Sequence, residues 1–278
     1  MRLGPGRLYG KTLRTQEFAG IQVLDSAYPP GLRLPKHSHE RGCFSILLRG
    51  AFSETYQNKH LEWEPFCVGF NPPDEEHSNL VHRVGAYFLV IELSHLWFER
   101  AHDHSVRTYE STLFRGGPVT WLGKKLYGEF RTMDEVSPLS IEGIVLEMIA
   151  EVSRQQSGIS ERQFPRWLEQ AREFVHAHFT ESLTIKSIAE AVGVHPVHLA
   201  RTFRTHYRLT IGTYVRQLRI ELACREISKP EVSLAEIASL AGFYDQGHFS
   251  KVFKNVIGLT PAQYRATLPH ANRVQNMS

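Results

Sequence analysis

Hydrophobic positions change their period along this chain. Up to about residue 95 they come in short runs rich in aromatic and β-branched residues: IQVLDSAYP (21–29), CFSILLRGAFSETYQ (43–57), FCVGFNPP (66–73) and GAYFLVIEL (85–93). Each run is broken by Gly, Pro, Asn or Asp, which predicts strands. Closely spaced strands without intervening helices predict a small antiparallel barrel. From Ser137 the period lengthens. Ile141, Ile144, Val145, Met148, Ile149 and Val152 fall at i, i+3, i+4, i+7, i+8 and i+11, one stripe along a helix. Trp121, Leu122, Leu126 and Phe130 predict an earlier helix of the same character. Such stripes pack either on their own domain or against a second copy of the chain. Polar QQSGISERQFP (155–165) follows and reads as an interdomain linker.

Beyond the linker one pattern occurs twice. IAEAVGVHPVHLARTFRTHYRLTIGTY (Ile188 to Tyr214) returns as IASLAGFYDQGHFSKVFKNVIGLTPAQY (Ile237 to Tyr264). Each copy predicts a short helix, a turn at Gly193 or Gly242, and a second helix. Thr184 and Ser233 stand at the starts of the first helices, and Ser233 with Glu236 spells a capping box. The second helices begin at Pro196, after the poor cap His195, and after the good cap Asp245. Leu199 with Phe203, and Phe249 with Phe253, lie four apart and face inward, which turns Arg201, Arg204, Lys251 and Lys254 elsewhere. Between the copies Tyr214, Leu218, Leu222 and Ile227 share a face of TYVRQLRIELACREIS, a helix of roughly 24 Å. Two helix-turn-helix units held apart by a rigid spacer suit two contacts one DNA turn, about 34 Å, apart.

The stretch IASLAGFYDQGHFSKVFKNVIGLTPAQYR (Ile237 to Arg265) fits the pattern IA-x3-GF-x-D-x2-HF-x3-FK-x3-G-x-TP-x2-YR. Residues from about Trp167 to Leu268 thereby resemble the DNA-binding domain of the AraC/XylS family of bacterial transcription regulators. The resemblance implies that the second helix of each unit enters one of two successive major-groove segments. Carried onto this chain, the groove-facing positions are Val197, Ala200 and Arg201, then Gln246, Gly247, Ser250 and Lys251, with Arg204 and Lys254 beside them. Val197 and Ala200 are apolar, and Gly247 stands where the family commonly has a polar side chain. Base reading then rests on Arg201, Gln246 and Lys251.

Charge follows the same division. Residues 165–278 hold 14 Lys and Arg against 9 Asp and Glu, and residues 1–164 hold 18 against 20. A modest positive excess suits contact with particular phosphates better than a nonspecific basic coat. Three unpatterned cysteines, Cys43, Cys67 and Cys224, argue for a reducing compartment without a disulfide framework. With no signal-peptide pattern and no apolar run longer than the one near Gly85 to Leu93, a cytoplasmic protein with no membrane partner is expected.

The expected architecture is α+β and multidomain. A cupin-like antiparallel β-barrel over 1–110, itself a resemblance centred on 15–95, is followed by a helical segment at 111–155 that could form a dimer interface. A linker at 156–165, an AraC-type DNA-binding domain at 166–268 and a tail at 269–278 complete it. In the barrel His37 and His39 lie two apart, so on a strand they face the same side, and His77 comes from a second stretch. Together they predict polar groups lining an effector site, with divalent-metal binding as the alternative. A metal-binding cupin adds a glutamate a few residues on, where this chain has Cys43 or Phe44. No cofactor and no catalytic residue is therefore expected. The reading is a sequence-specific transcription regulator of double-stranded DNA, controlled by a small-molecule effector. A homodimer, and RNA polymerase if it is an activator, are its further partners. The other function class is an enzyme on a DNA-binding domain. A metal-dependent cupin enzyme is the form kept open, because a repair methyltransferase would need a four-cysteine zinc cluster and the chain has three cysteines.

Overall fold

The computed structural model describes residues 1–56, 59–103, 110–156, 165–207, 209–227, 229, 231–257 and 259–266. They form two compact units, one within 1–160 and one within 161–268. The linker expected at 156–165, apart from its ends, and the tail at 269–278 lie outside the described residues. Among the described residues no helix is long and apolar enough to cross a membrane.

The first unit contains β1 (Arg2–Leu3), β2 (Lys11–Phe18), β3 (Ile21–Tyr28), β4 (Arg33–His39), β5 (Gly42–Tyr56), β6 (Lys59–Trp63), β7 (Val68–Asn71), β8 (His77–Leu93) and β9 (Thr112–Phe114). Helix α1 (His95–Asp103) precedes β9, and α2 (Pro118–Arg131) and α3 (Ser137–Gln156) follow it. Long strands β5 and β8 pair antiparallel from Gly42 opposite Leu93 to Tyr56 opposite His77. Their length lets each serve two neighbours: β8 carries β4 and β3, and β5 carries β7 and β6. β1 joins β4 in parallel. Among the described residues the main strand order β1-β4-β8-β5-β7-β9 has two ends. The sheet is thus mixed and open rather than the closed antiparallel barrel that strand spacing suggests. A two-residue parallel strand leaves no pattern in a sequence.

Alternation along β5 and β8 gives the sheet two working faces. Phe44, Ile46, Leu89 and Ile91 point to one side, where they pack with Leu122, Leu126, Phe130 and all six residues of the α3 stripe. Cys43, Leu47, Phe52, Phe88 and Val90 point to the other, with Leu24, Tyr28, Leu34 and Trp63. The α3 stripe is therefore consumed inside its own unit. Val136, Leu139 and Leu146 are the large apolar side chains left exposed near it.

The second unit is all helical: α4 (Arg166–His178), α5 (Ile185–Ala191), α6 (Pro196–Tyr207), α7 (Ile211–Ile227), α8 (Leu234–Leu240), α9 (Gln246–Ile257) and α10 (Pro261–Ala266). The pairs α5–α6 and α8–α9 are the two helix-turn-helix units, and α7 touches α6, α8, α9 and α10. Leu199, Phe203, Phe249 and Phe253 are fully buried, as their spacing predicts. Helix α7 departs from the expected single apolar face. Beyond Tyr214, Leu218 and Ile227 it buries Val215, Gln217, Ile220, Ala223 and Cys224, whereas Leu222 is half-buried. A helix shared by two units meets neighbours on more than one side, which blurs its periodicity.

Both turn glycines take the left-handed conformation, φ 68° at Gly193 and 76° at Gly242. Their surroundings differ. A Cβ on Gly193 would meet open space, whereas one on Gly242 would overlap the carbonyl oxygen of Thr180. Gly193→Ala should cost about 1–2 kcal/mol, the strain of a left-handed L-residue. Gly242→Ala should cost distinctly more, because the backbone at Thr180 must also shift. Urea unfolding of the second unit checks the order, and equal costs would remove the argument for close approach.

Candidate nucleic-acid interface and enclosed cavity

Each helix-turn-helix unit is built by the same local devices. Thr184 Oγ1 accepts from Ser187 N at 3.0 Å while Ser187 Oγ accepts from Thr184 N at 3.1 Å. Ser233 and Glu236 make the matching pair at 3.2 and 2.8 Å. After each first helix the chain turns through equivalent bonds, Val194 N to Ala189 O at 3.0 Å and Phe243 N to Ala238 O at 2.9 Å. They satisfy carbonyls that the helix leaves open. The second helices then start on a side-chain acceptor: Asp245 Oδ1 for His248 N at 2.6 Å, and His195 Nδ1 for Val197 N at 3.3 Å. The histidine cap is longer than the aspartate cap, in line with its poorer standing.

Val197, Arg201 and Arg204 on α6, and Gln246, Gly247, Lys251 and Lys254 on α9, are exposed, whereas Ala200 and Ser250 are half-buried. Each set shares its helix with a buried pair, Leu199 and Phe203 or Phe249 and Phe253, so each helix turns one stripe inward and the other to solvent. Among the described residues none of the four cations is ion-paired to a carboxylate. Tyr244, 94% exposed and two residues before Gln246, was not anticipated. Its signal was the extra residue in the second turn, which shifts the repeat offset from 49 to 50.

The inward face of the first unit's sheet lines a cavity of about 50 Å³, partly open to solvent. Leu8, Tyr28, Leu34, Phe52, Trp63 and Phe88 supply apolar wall. Polar groups come from neighbouring strands. His37 on β4 lies opposite His77 on β8, and His39 follows two residues on, so all three imidazoles reach one end of the cavity. Burial and mutual repulsion lower their pKa values, to about 4 for His37 and about 3 for His39. His77 is lowered too, chiefly by burial. All three are neutral at pH 7. Glu75, two residues before His77, is anchored through its Oε2, which accepts from Ser111 N at 3.0 Å and from Ser111 Oγ at 2.5 Å.

Glu54 was missed from the sequence. It accepts from Trp63 Nε1 and Asn71 Nδ2, each at 3.2 Å, in a wall that is otherwise largely apolar. Phe52, Glu54 and Tyr56 alternate on β5, and a carboxylate interrupting an inward apolar series was the available signal. Burial pushes its pKa up to about 7, against hydrogen bonds from Asn71, Trp63 and Asn79 that hold it down.

Residues 188–267 match the family model described as a helix-turn-helix domain. Regulatory protein SoxS of Salmonella typhimurium is 35% identical over 96 residues, covering 34% of this chain and 90% of SoxS. The chain belongs to the AraC/XylS family of bacterial transcription regulators. The Msm operon regulatory protein of Streptococcus mutans is 31% identical over 99 residues, 36% of each protein. The bifunctional transcriptional activator/DNA repair enzyme AdaA of Bacillus subtilis is 30% identical over 99 residues, 36% of this chain and 47% of AdaA. The chain therefore spans about a third to a half of those two relatives. Among solved structures, ToxT of Vibrio cholerae aligns with 90% of this chain and 100% of its own at 12% identity, with a TM-score of 0.40. In this AraC/XylS member the curated matches are short, about 36% of the chain.

The cavity of this AraC/XylS member carries a pH dependence of stability. A carboxyl whose pKa is higher folded than unfolded favours the fold at low pH. The contribution of Glu54 is complete below its ordinary value of 4.5 and is lost as pH rises through about 7. Relative to Glu54→Gln, the wild-type first unit should lose up to about 1.4 kcal/mol per pH unit across that window. The buried histidines act with the opposite sign and cancel in the comparison. Urea unfolding of both proteins from pH 4.5 to 7.5 measures it, and a pH-independent difference would show that folding does not raise the pKa of Glu54.

Proposed function

We propose that the chain is a sequence-specific DNA-binding transcription regulator in which α6 and α9 read successive major-groove segments, and that a small molecule in the first unit's cavity sets its DNA affinity. The observation that carries this reading is the pair of matched helix-turn-helix units, each offering on its second helix exposed cations without acidic partners among the described residues. In this reading Arg201, Gln246 and Lys251 meet base edges, and Arg204 and Lys254, about one turn further along, meet phosphates. Exposed Val197 and half-buried Ala200 suit apolar contact with thymine methyl groups rather than hydrogen bonding. Gly247 and Ser250 allow the groove wall to come close to α9. The cavity supports the effector role because it is concave, mostly apolar and supplied with a few convergent polar groups, His37, His39 and His77 among them. A homodimer would use exposed Val136, Leu139 and Leu146 rather than the buried stripe of α3.

Arg201→Ala and Lys251→Ala should each cost about 1–3 kcal/mol on the operator and relax preference at one base position. Lys254→Ala should weaken specific and random DNA alike. Fluorescence anisotropy on an operator and a scrambled duplex separates the two behaviours, and equal losses on both for Arg201→Ala would defeat the base-reading assignment.

A fragment of residues 165–278 should bind the operator more weakly than the full chain and should not respond to effector. The comparison is an operator titration with and without candidate small molecules. A fragment that responds as the full chain does would take the sensor out of the cavity.

A further inference from the structure

We propose that the cavity of the first unit binds one divalent first-row transition-metal ion through His37, His39 and His77, with a coordination position left open toward the cavity. The inference rests on reading this cavity as a ligand site and names what would be held there first.

Strand register brings the three side chains together. His37 and His77 are direct partners across β4 and β8, and their rings lie 4.4 Å apart between centroids. His39 stands 5.2 Å from His37 and 5.3 Å from His77 on the same measure. One ring nitrogen from each residue lies within 4.8 Å of the others. A tetrahedral ion about 2.1 Å from each nitrogen asks for about 3.4 Å between them, which small rotations of the imidazoles supply.

The rings are also oriented for coordination. His37 Nδ1 is 2.7 Å from Pro35 O, and His77 Nδ1 is 3.1 Å from Glu75 O. A carbonyl oxygen only accepts, so both Nδ1 atoms carry the proton and both Nε2 atoms keep a lone pair. This outer hydrogen bond is the usual means of fixing the tautomer and direction of a metal-ligating imidazole. The Glu75 carboxylate is itself anchored by Ser111, which holds the segment before His77 in place. The imidazoles are neutral at pH 7, the form in which they coordinate.

The donor set selects the class of ion. Cys43 lines the same cavity, but its thiol is not among the donor atoms that cluster within 4.8 Å of one another. The Glu54 carboxylate already accepts from Trp63 and Asn71. Three imidazoles without an oxygen ligand do not suit magnesium or calcium, and they do suit zinc, cobalt, nickel, copper or iron. His37 and His77 are buried and His39 is half-buried, so His39 marks the side of entry and of the open position.

The test uses the full chain, stripped of metal by chelation and titrated with zinc and with cobalt(II). One ion per chain is expected. X-ray absorption on the zinc-loaded wild type should give three imidazole nitrogens at about 2.0–2.1 Å, a readout that needs no variant. His39→Ala should weaken binding by at least about 100-fold. His60→Ala with His82→Ala, which removes the surface imidazoles beside Glu62, should leave it unchanged. No stoichiometric binding, a first shell without three imidazoles, or loss in the His60/His82 variant with retention in His39→Ala would each overturn the site. Metal held by these ligands with operator affinity unchanged supports the site and counts only against control through the cavity, so the two readings fail separately.

Discussion

Everything the second unit can do on DNA depends on the burial of α7. This one helix supplies core to both helix-turn-helix units, with Tyr214 and Val215 toward its start and Cys224 and Ile227 toward its end all buried. At 17 residues it is about 25 Å long. It also reaches beyond its own packing. Arg219 Nε donates to Phe179 O and its Nη2 to Glu181 O, both at 2.7 Å, so the segment between α4 and α5 is tied to the middle of α7. Thr180 lies inside that tied segment, and its carbonyl oxygen closes on Gly242 in the turn of the other helix-turn-helix. The loop that enters the first helix-turn-helix and the turn of the second are thus fixed against each other through α7. Two helix-turn-helix units joined this way act as one body, and a body of fixed length suits a fixed spacing on DNA.

The first unit shows the same economy in strands. β5 and β8 each carry helix-packing side chains on one face and cavity-lining side chains on the other, in strict alternation through Cys43, Phe44, Ser45 and Ile46. A group entering between Phe52, Trp63 and Phe88 therefore presses on strands whose opposite face holds α2 and α3. Interiors packed at crystal-like density do not absorb such pressure locally. The path from the cavity to the helices is a single sheet thick.

The second unit was largely legible in the sequence because its signals are local. Capping pairs, turn glycines and residues four apart lie within a dozen positions of each other, and Thr184, Ser233, Gly193 and Gly242 each fix a boundary without reference to the rest of the fold. The first unit was legible only in part, because its signals are pairwise. β2 is almost wholly exposed and shows no alternation, and β1 gains its identity only by lying beside β4. Strand residues His37 and His39 could be placed on a common side by counting. That His77 faces His37 is a matter of register between strands forty residues apart, which no count along the chain contains. Glu54 is a related case. Its side chain is informative because Trp63 and Asn71 come to it from β6 and β7.

The two units also divide the chemistry of charge between them. On α6 and α9, Arg201, Arg204, Lys251 and Lys254 stand exposed without acidic partners among the described residues, so they attract an anionic polymer at the range of a Debye length, about 8–10 Å. The cavity works the other way. Its imidazoles are uncharged, two are locked with Nδ1 donating outward, and its carboxyl titrates near neutrality. What remains pointing inward is mainly lone pairs and aromatic wall. A free carboxylate or phosphate would meet acceptors there and no buried cation, at a desolvation cost that nothing offsets. A cation or a hydrogen-bond donor meets the groups it needs.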